Sequence, residues 1–389
     1  MKGGDRGKWQ MRRWFLFTLT LEEVLNMKRI LFLFVSFVFF ATLISSAAMA
    51  EEQRLWAREN LWNPNEIDWV DTSKCKKDPP YTFGFSNAGL TNPWTVLMQR
   101  QAEWEASKHP ELIKKMIVTD AQGKADKQIN DVEDLYAKGI DILLTRAVTE
   151  SGLDPIITRL YKQGLPVITI SKGIKSDNYS CFVAPSNIAY GRIQGVWLAQ
   201  MLNGKGNILI LAGWAGAGSV VDRYKGHKEA LSQYPGIKVL DRQYTQYSTS
   251  KGKEIMQAMI QSYGDKIDGV LCDSGMQAAG AVEAMHEAGM KVPITGDPLN
   301  AFLCRVQKWG FPAVSVGYPV SMGSDAVKLG LNILQGIPVP FNFNPPRLIL
   351  TTHDTADVRT DVPWSSVANP KLGDSWYLPY TLPEEWLPK

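Results

Sequence analysis

Histidine and cysteine are scarce in this chain, at four residues each among 389, and their placement removes most metal and nucleophile chemistry. Cys75, Cys181, Cys272 and Cys304 stand far apart and match no zinc-site spacing. Gly84-Phe-Ser86-Asn-Ala-Gly89 has one residue too many before its closing glycine to form a hydrolase elbow. His109, His227, His286 and His353 offer Ser86 no neighbouring base, and His286-Glu287 lacks the second histidine of a zinc helix. A dominant charge is also missing. The 42 basic residues nearly balance 39 acidic ones; removing the seven basic and three acidic residues of positions 1–50 leaves 35 and 36. Such neutrality gives no reason to expect nucleic acid or an anionic membrane as partner. No cofactor is implied, no metal site, and no membrane span in the mature form.

Residues 27–50 supply the one long apolar run. Lys28 and Arg29 precede it, and Ala48-Met49-Ala50 offers small residues at its end. This pattern reads as a secretory signal cut after Ala50, with Met27 as its natural start and an uncleaved anchor as the alternative. The mature protein is therefore expected outside the cytoplasm, in the periplasm. About 340 residues remain, enough for two lobes with real cores. An oxidising compartment permits disulfides, and the pairs falling within one lobe are Cys272 with Cys304 and Cys75 with Cys181; buried free thiols are the alternative.

From Tyr81 onward short apolar strands alternate with helical periods, the signature of parallel βα units. Strands are expected over 81–85, 112–118, 140–144, 166–170, 180–184, 207–211, 237–244, 269–272, 293–296 and 313–316. Helices are expected between them, over 95–109, 124–138, 153–162, 188–202, 221–234, 250–263, 275–288 and 321–334. So many units exceed one ordinary open sheet. The predicted fold is α/β, with two doubly wound parallel-sheet lobes. Residues 354–389 change character: prolines alternate there with Trp364, Trp376, Tyr377, Tyr380 and Trp386. This segment is expected to lie as an ordered strap with its rings buried against a lobe.

Ligands of doubly wound sheets sit beyond the carboxyl ends of the strands. The residues to weigh there are Ser86 and Asn87, Thr145 and Arg146, Ser171 and Lys172, Trp214, Tyr247, Asp273 and Ser274, and Asp297. Gly213-Trp-Ala-Gly216-Ala-Gly218 is spaced G-x-x-G-x-G, unlike the dinucleotide fingerprint, and reads as a tight turn admitting an uncharged ligand to the backbone. Asp297 can accept two hydroxyl hydrogen bonds from a vicinal diol, and it can also cap a helix beginning near Pro298. Arg223 presents a planar fork of donors at a helix start, or forms a surface ion pair with Asp222. Thirteen tryptophans add flat apolar faces of the kind that stack on sugars.

With these residues in view, positions 81–350 resemble the periplasmic binding proteins of sugar ABC importers, in the ribose and galactofuranose branch. The likeness rests on Gly84-Phe-Ser-Asn-Ala-Gly-Leu-Thr-Asn92-Pro93-Trp94, Ser219-Val-Val-Asp222-Arg223-Tyr-Lys-Gly226, the segment after Tyr247 from Ser248 to Met256, and Thr295-Gly-Asp297. It implies the type I fold, in which a three-segment hinge with crossovers near 185, 318 and 347 joins the lobes. The lobes would then comprise 81–185 with 318–346 and 186–317 with 347–353, preceded by a lead-in over 51–80. The resemblance also implies Asn92 as a hydrogen-bonding group, Trp94 and Tyr247 as covering rings, and Arg223 and Asp297 as charged anchors. Together with the residues after the strands, the candidate ligand set is Ser86, Asn92, Trp94, Ser171, Lys172, Trp214, Arg223, Tyr247, Ser274 and Asp297.

Departures from the family pattern bear on the ligand. Ser171-Lys172 stand where Asp-Arg is usual, so a bidentate fork is lost and one acceptor is neutral. Ser274 stands beside Asp273 where Asn is common, and Thr95 follows Trp94 where the galactofuranose type tends to carry arginine. The expected ligand is a sugar or polyol, with a modified sugar or another hydroxylated small molecule equally accommodated. The expected role is a monomeric, non-enzymatic solute-binding protein delivering this ligand to an ABC importer permease. Two alternatives stand beside it. One is a periplasmic enzyme acting on glycosides with Asp273 and Asp297 as acid and base; the other is a sensor read by a chemoreceptor or histidine kinase.

Overall fold

The computed structural model describes residues 68–379 together with Leu382, Pro383 and Trp386. The expected signal, its cleavage site and the start of the lead-in lie outside the described residues. Two six-stranded sheets organise the chain. The first runs β13-β6-β5-β4-β2-β3, formed by β2 (Tyr81–Asn87), β3 (Ile113–Asp120), β4 (Ile142–Arg146), β5 (Val167–Ile170), β6 (Cys181–Val183) and β13 (Asn342–Phe343). The second runs β14-β11-β10-β9-β7-β8, formed by β7 (Lys205–Ala212), β8 (Gly236–Tyr244), β9 (Gly269–Cys272), β10 (Ile294–Gly296), β11 (Ala313–Val316) and β14 (Ile349–Thr351). Every pairing in these sheets is parallel except that of β14 with β11. Central strands such as β5 and β9 are buried along their whole length, which is why they read as short unbroken apolar runs.

The ten strands expected from sequence lie within two residues of those observed. The four not anticipated are β1 (Trp69–Val70), β12 (Val339–Pro340), β13 and β14. At two or three residues each they are too short to show a period. The helices are α1 (Pro93–Ser107), α2 (Ala125–Ala137), α3 (Glu150–Lys162), α4 (Asn187–Met201), α5 (Gly218–Leu231), α6 (Thr249–Tyr263), α7 (Gly275–Glu287), α8 (Asn300–Trp309) and α9 (Met322–Leu334). The chain passes between the two layers three times, over 184–186, 317–321 and 344–348. Thus α4 packs on α5 and the second sheet, whereas α9 returns to α1 and the first. The lobes are joined by three strands of backbone.

Glycines let neighbouring helices come unusually close. A Cβ on Gly191 of α4 would collide with the carbonyl of Arg223, and one on Gly226 of α5 with the carbonyl of Ile188. Gly280 of α7 faces Thr249 of α6 in the same manner, and Gly323 of α9 faces Met98 of α1. Backbone meets backbone at each crossing. The α4–α5 contact also fixes where Arg223 stands relative to the first crossover.

All four cysteines are free, so neither Cys272–Cys304 nor Cys75–Cys181 forms. Cys181 and Cys272 are fully buried within parallel strands, while Cys304 sits on α8 and donates to Asn300 Oδ1 at 3.3 Å. Burial pushes the Cys181 thiol up to about 12 and the Cys272 thiol well above its ordinary range. These are packing residues with little thiolate character. Among the described residues no helix is long and apolar enough to cross a membrane, and no cluster of His, Cys, Asp and Glu could hold a metal ion.

Gly226→Ala should lower the unfolding free energy by roughly 1–3 kcal/mol or more, the range for overpacking a close contact. Gly218→Ala, whose added Cβ meets nothing within 4 Å, should leave the melting midpoint unchanged or raise it, because alanine is the better helix former. Thermal denaturation of both variants checks the contrast.

Candidate ligand-binding site

Both sheets point their carboxyl ends at a shared cleft of about 840 Å³, a size typical of small-molecule sites. Eight of the ten sequence candidates line it: Asn92, Trp94, Ser171 and Lys172 from the first lobe, and Arg223, Tyr247, Ser274 and Asp297 from the second. Ser86 and Trp214 do not. Strand β2 continues to Asn87, so Ser86 lies inside the sheet, fully buried, within 3.4 Å of Gln128 Nε2. Trp214 is 52% exposed in the loop after β7, because the space over Gly213 is taken by the Tyr247 ring.

Gly213 therefore serves an aromatic ring rather than a ligand. Any Cβ there would collide with the Tyr247 ring. Gln246 and Tyr247 are consecutive non-glycine residues at φ +58° and +54°, strain of the kind that persists where surrounding structure over-determines it. The Tyr247 hydroxyl lies 3.3 Å from Ser219 Oγ. Gly216, at φ +76°, forms the tight part of the turn and does line the cleft.

Arg223 is 4% exposed. Its Nε donates to Asn187 Oδ1 at 3.0 Å, and Nη1 donates to the Asp273 carbonyl. The guanidinium lies over Tyr190 at 4.0 Å and near Tyr318 at 4.9 Å, which favours a desolvated cation through the ring faces. Arg223 also lines the cleft. Asn92 caps α1 through Oδ1, which accepts from Thr95 at 3.1 Å, leaving its amide nitrogen available. Trp94 Nε1 donates to the Tyr318 carbonyl at 2.9 Å, bolting this ring to the second crossover.

Asp297 is 3% exposed, and its Oδ1 accepts the Gly275 amide at 2.6 Å. That amide opens α7, so the side chain does not cap the helix that follows Pro298. Burial pushes the Asp297 carboxyl up to about 6, against the pull of the Gly275 amide and Arg223. Asp273 is raised to about 6 for the same reason, but its Oδ2 accepts the Gly213 amide at 2.9 Å and the residue does not line the cleft. Only Asp297 of the two carboxylates faces the cleft.

Among the cleft residues outside the sequence candidate set are Arg146, Tyr318 and Tyr377. Arg146 ends β4 and lines the cleft; it had the right position after a strand. Tyr318 stands in the second crossover, where no period marks it. Tyr377 comes from the strap, the least patterned part of the chain. Its placement follows from how α8 begins: Leu299 offers no side-chain cap, and the strap carbonyls of Trp376 and Asp374 accept the Asn300 and Ala301 amides at 2.7 and 3.1 Å. Asn300 Nδ2 reaches the carbonyls of Asn369, Leu372 and Gly373 at 2.9–3.2 Å. Leu299 and Tyr377 then form a β-bridge, two residues from Asp297. Trp364 anchors the strap further, donating from Nε1 to the Leu303 carbonyl at 3.0 Å.

Residues 83–338 match the family model described as periplasmic binding protein domain. The galactofuranose-binding protein of Escherichia coli is 32% identical over 218 residues, covering 54% of this chain and 68% of that protein. The ribose import binding protein of Bacillus subtilis is 27% identical over 279 residues, covering 72% and 90%. A crystal structure of a galactofuranose-binding protein superposes with a TM-score of 0.63 at 28% identity, over 69% of this chain and 94% of that one. On the family match and on the two-sheet architecture around one cleft, the chain belongs to the periplasmic binding protein family.

Proposed function

We propose that this protein captures a sugar or polyol in the interlobe cleft and delivers it, chemically unaltered, to the permease of an ABC importer. The carrying observation is the cleft itself. Flat rings (Trp94, Tyr247, Tyr318) and hydrogen-bonding charges (Arg223, Asp297) converge on it from two lobes joined only by three crossovers. Ring faces suit sugar C–H surfaces, while a buried carboxylate and guanidinium suit hydroxyls. A ligand touching both walls favours the closed arrangement by its differential contacts, with the three crossovers absorbing the motion. The closed pair of lobe faces is what the permease reads. The family and its relatives support periplasmic residence, which the signal reading of residues 27–50, with cleavage after Ala50, would accomplish; the mature protein acts as a monomer.

A panel of sugars and polyols should include at least one compound that raises the melting midpoint by several degrees, as ligand at about 100 times its dissociation constant does. No shift with any member would remove the reading. Asp297→Asn and Arg223→Ala should each weaken binding by roughly 2 kcal/mol, the scale of a buried charge-assisted hydrogen bond; unchanged calorimetric affinity in both would exclude them from the site. Because ligand hydroxyls donate to ionised Asp297, and its carboxyl titrates near 6, affinity should fall as pH drops below about 6. Asp297→Asn should flatten that limb of the pH profile. Gly213→Ala should displace Tyr247 and weaken binding while circular dichroism keeps its native shape.

A further inference from the structure

We propose that the first-lobe wall of the cleft is a carboxylate subsite, so that the captured solute is a sugar acid whose carboxylate meets Arg146 and Lys172 while its hydroxyls meet Asp297 and Arg223. This rests on the solute-binding reading and narrows its ligand class.

Arg146 and Lys172 both line the cleft, and neither makes an ion pair among the described residues. The Arg146 Nε is buried without a hydrogen-bond partner. An unpaired buried donor on a permanent cation is costly, and a ligand acceptor removes that cost. The guanidinium is oriented by a ring rather than by a carboxylate, lying 5.8 Å from the Trp94 centroid. Two planar N–H groups then remain for the two oxygens of a carboxylate.

Lys172 is presented by strained backbone. Its amide donates to the Ile170 carbonyl at 2.6 Å across Ser171, which stands at φ +62°, a rare three-residue turn. The turn is held in place by Ser171 N–H donating to the Val183 carbonyl at 2.9 Å and by a 3.2 Å contact between Ser171 Oγ and the Tyr318 hydroxyl. The Lys172 ammonium is pulled down to about 8, first by burial and then by the Arg146 charge, with Glu150 opposing. Two cations held together in this way call for an anion between them.

The charge balance sets the size of that anion. Around the whole cleft, Arg146, Lys172, Lys175 and Arg223 face Glu150, Asp222 and Asp297. Four positive charges against three negative ones leave one to be neutralised, which fits a carboxylate better than a phosphate dianion. The amino ends of α3, α4 and α5 also border the cleft, adding to the positive potential there.

Calorimetry on the wild-type protein with matched pairs tests this: galactose with galacturonate, ribose with ribonate, glucose with gluconate, and ribose 5-phosphate as the phosphate arm. At least one acid should bind about tenfold or more tighter than its neutral partner, and Arg146→Gln or Lys172→Met should weaken binding of that acid more than binding of its neutral partner, so that the ratio of the two affinities falls toward one. The wild-type preference decides the matter even if a variant folds poorly. Neutral sugars binding as tightly as their acids would overturn the carboxylate subsite and leave the solute-binding reading standing. Tighter binding of ribose 5-phosphate than of every acid would also overturn it. Binding of no compound in any arm would remove the solute-binding reading and this inference together.

Discussion

The stack of Arg223 on Tyr190 and Tyr318 is the contact on which the cleft depends. Arg223 belongs to the second lobe, Tyr190 opens α4 just after the first crossover, and Tyr318 lies in the second crossover. Tyr318 also accepts the Trp94 indole on its carbonyl and meets Ser171 through its hydroxyl, so one residue touches both walls. A buried guanidinium is tolerable only with its donors and its charge answered. Here Asn187, the Asp273 carbonyl and two ring faces answer it. Of the groups that answer Arg223, Tyr318 lies in a crossover and reaches the first lobe through Trp94 and Ser171, so the guanidinium is packed directly against the hinge.

Glycines make this placement reachable. Gly191 allows the Arg223 backbone to press against α4, and Gly213 allows the Tyr247 ring to lie over the end of β7. Three of the left-handed non-glycine residues, Ser171 in one lobe and the Gln246–Tyr247 pair in the other, sit where side chains are delivered to the cleft, while Gln122 and Asn203 lie away from it. At those three positions the regular sheets behind the cleft over-determine the backbone. The same logic explains Asp297, whose burial raises its carboxyl while the Gly275 amide holds its orientation.

The strap adds a wall that lies beyond the matched family segment, which ends at residue 338. It supplies the caps that α8 lacks and places Tyr377 beside Asp297. A helix start without its own capping side chain leaves donors that something must accept. A proline-rich segment with open carbonyls and large rings meets that need without forming a regular element.

The βα rhythm was legible because buried strands and amphipathic helices write their periods into apolar spacing, and ten strands could be placed from it within two residues. Part of the candidate site was legible too, since the end of a parallel strand is a position that spacing alone locates; Lys172, Ser274 and Asp297, named there, line the cleft. Arg146 occupied such a position without being chosen, for its neighbours Lys172 and Trp94 are distant in sequence and its missing partner is a fact of packing. Ser86 went the other way, swallowed by a strand two residues longer than its apolar core suggested. The free cysteines, the Tyr247 ring over Gly213 and the arrival of Tyr377 likewise depend on which surfaces meet. Local sequence determined the elements and the strand ends that aim at the cleft, because periodicity and capping act within a few residues. Tertiary structure alone decided which side chains share that cleft, because burial, stacking and close backbone approach join residues that no local pattern connects.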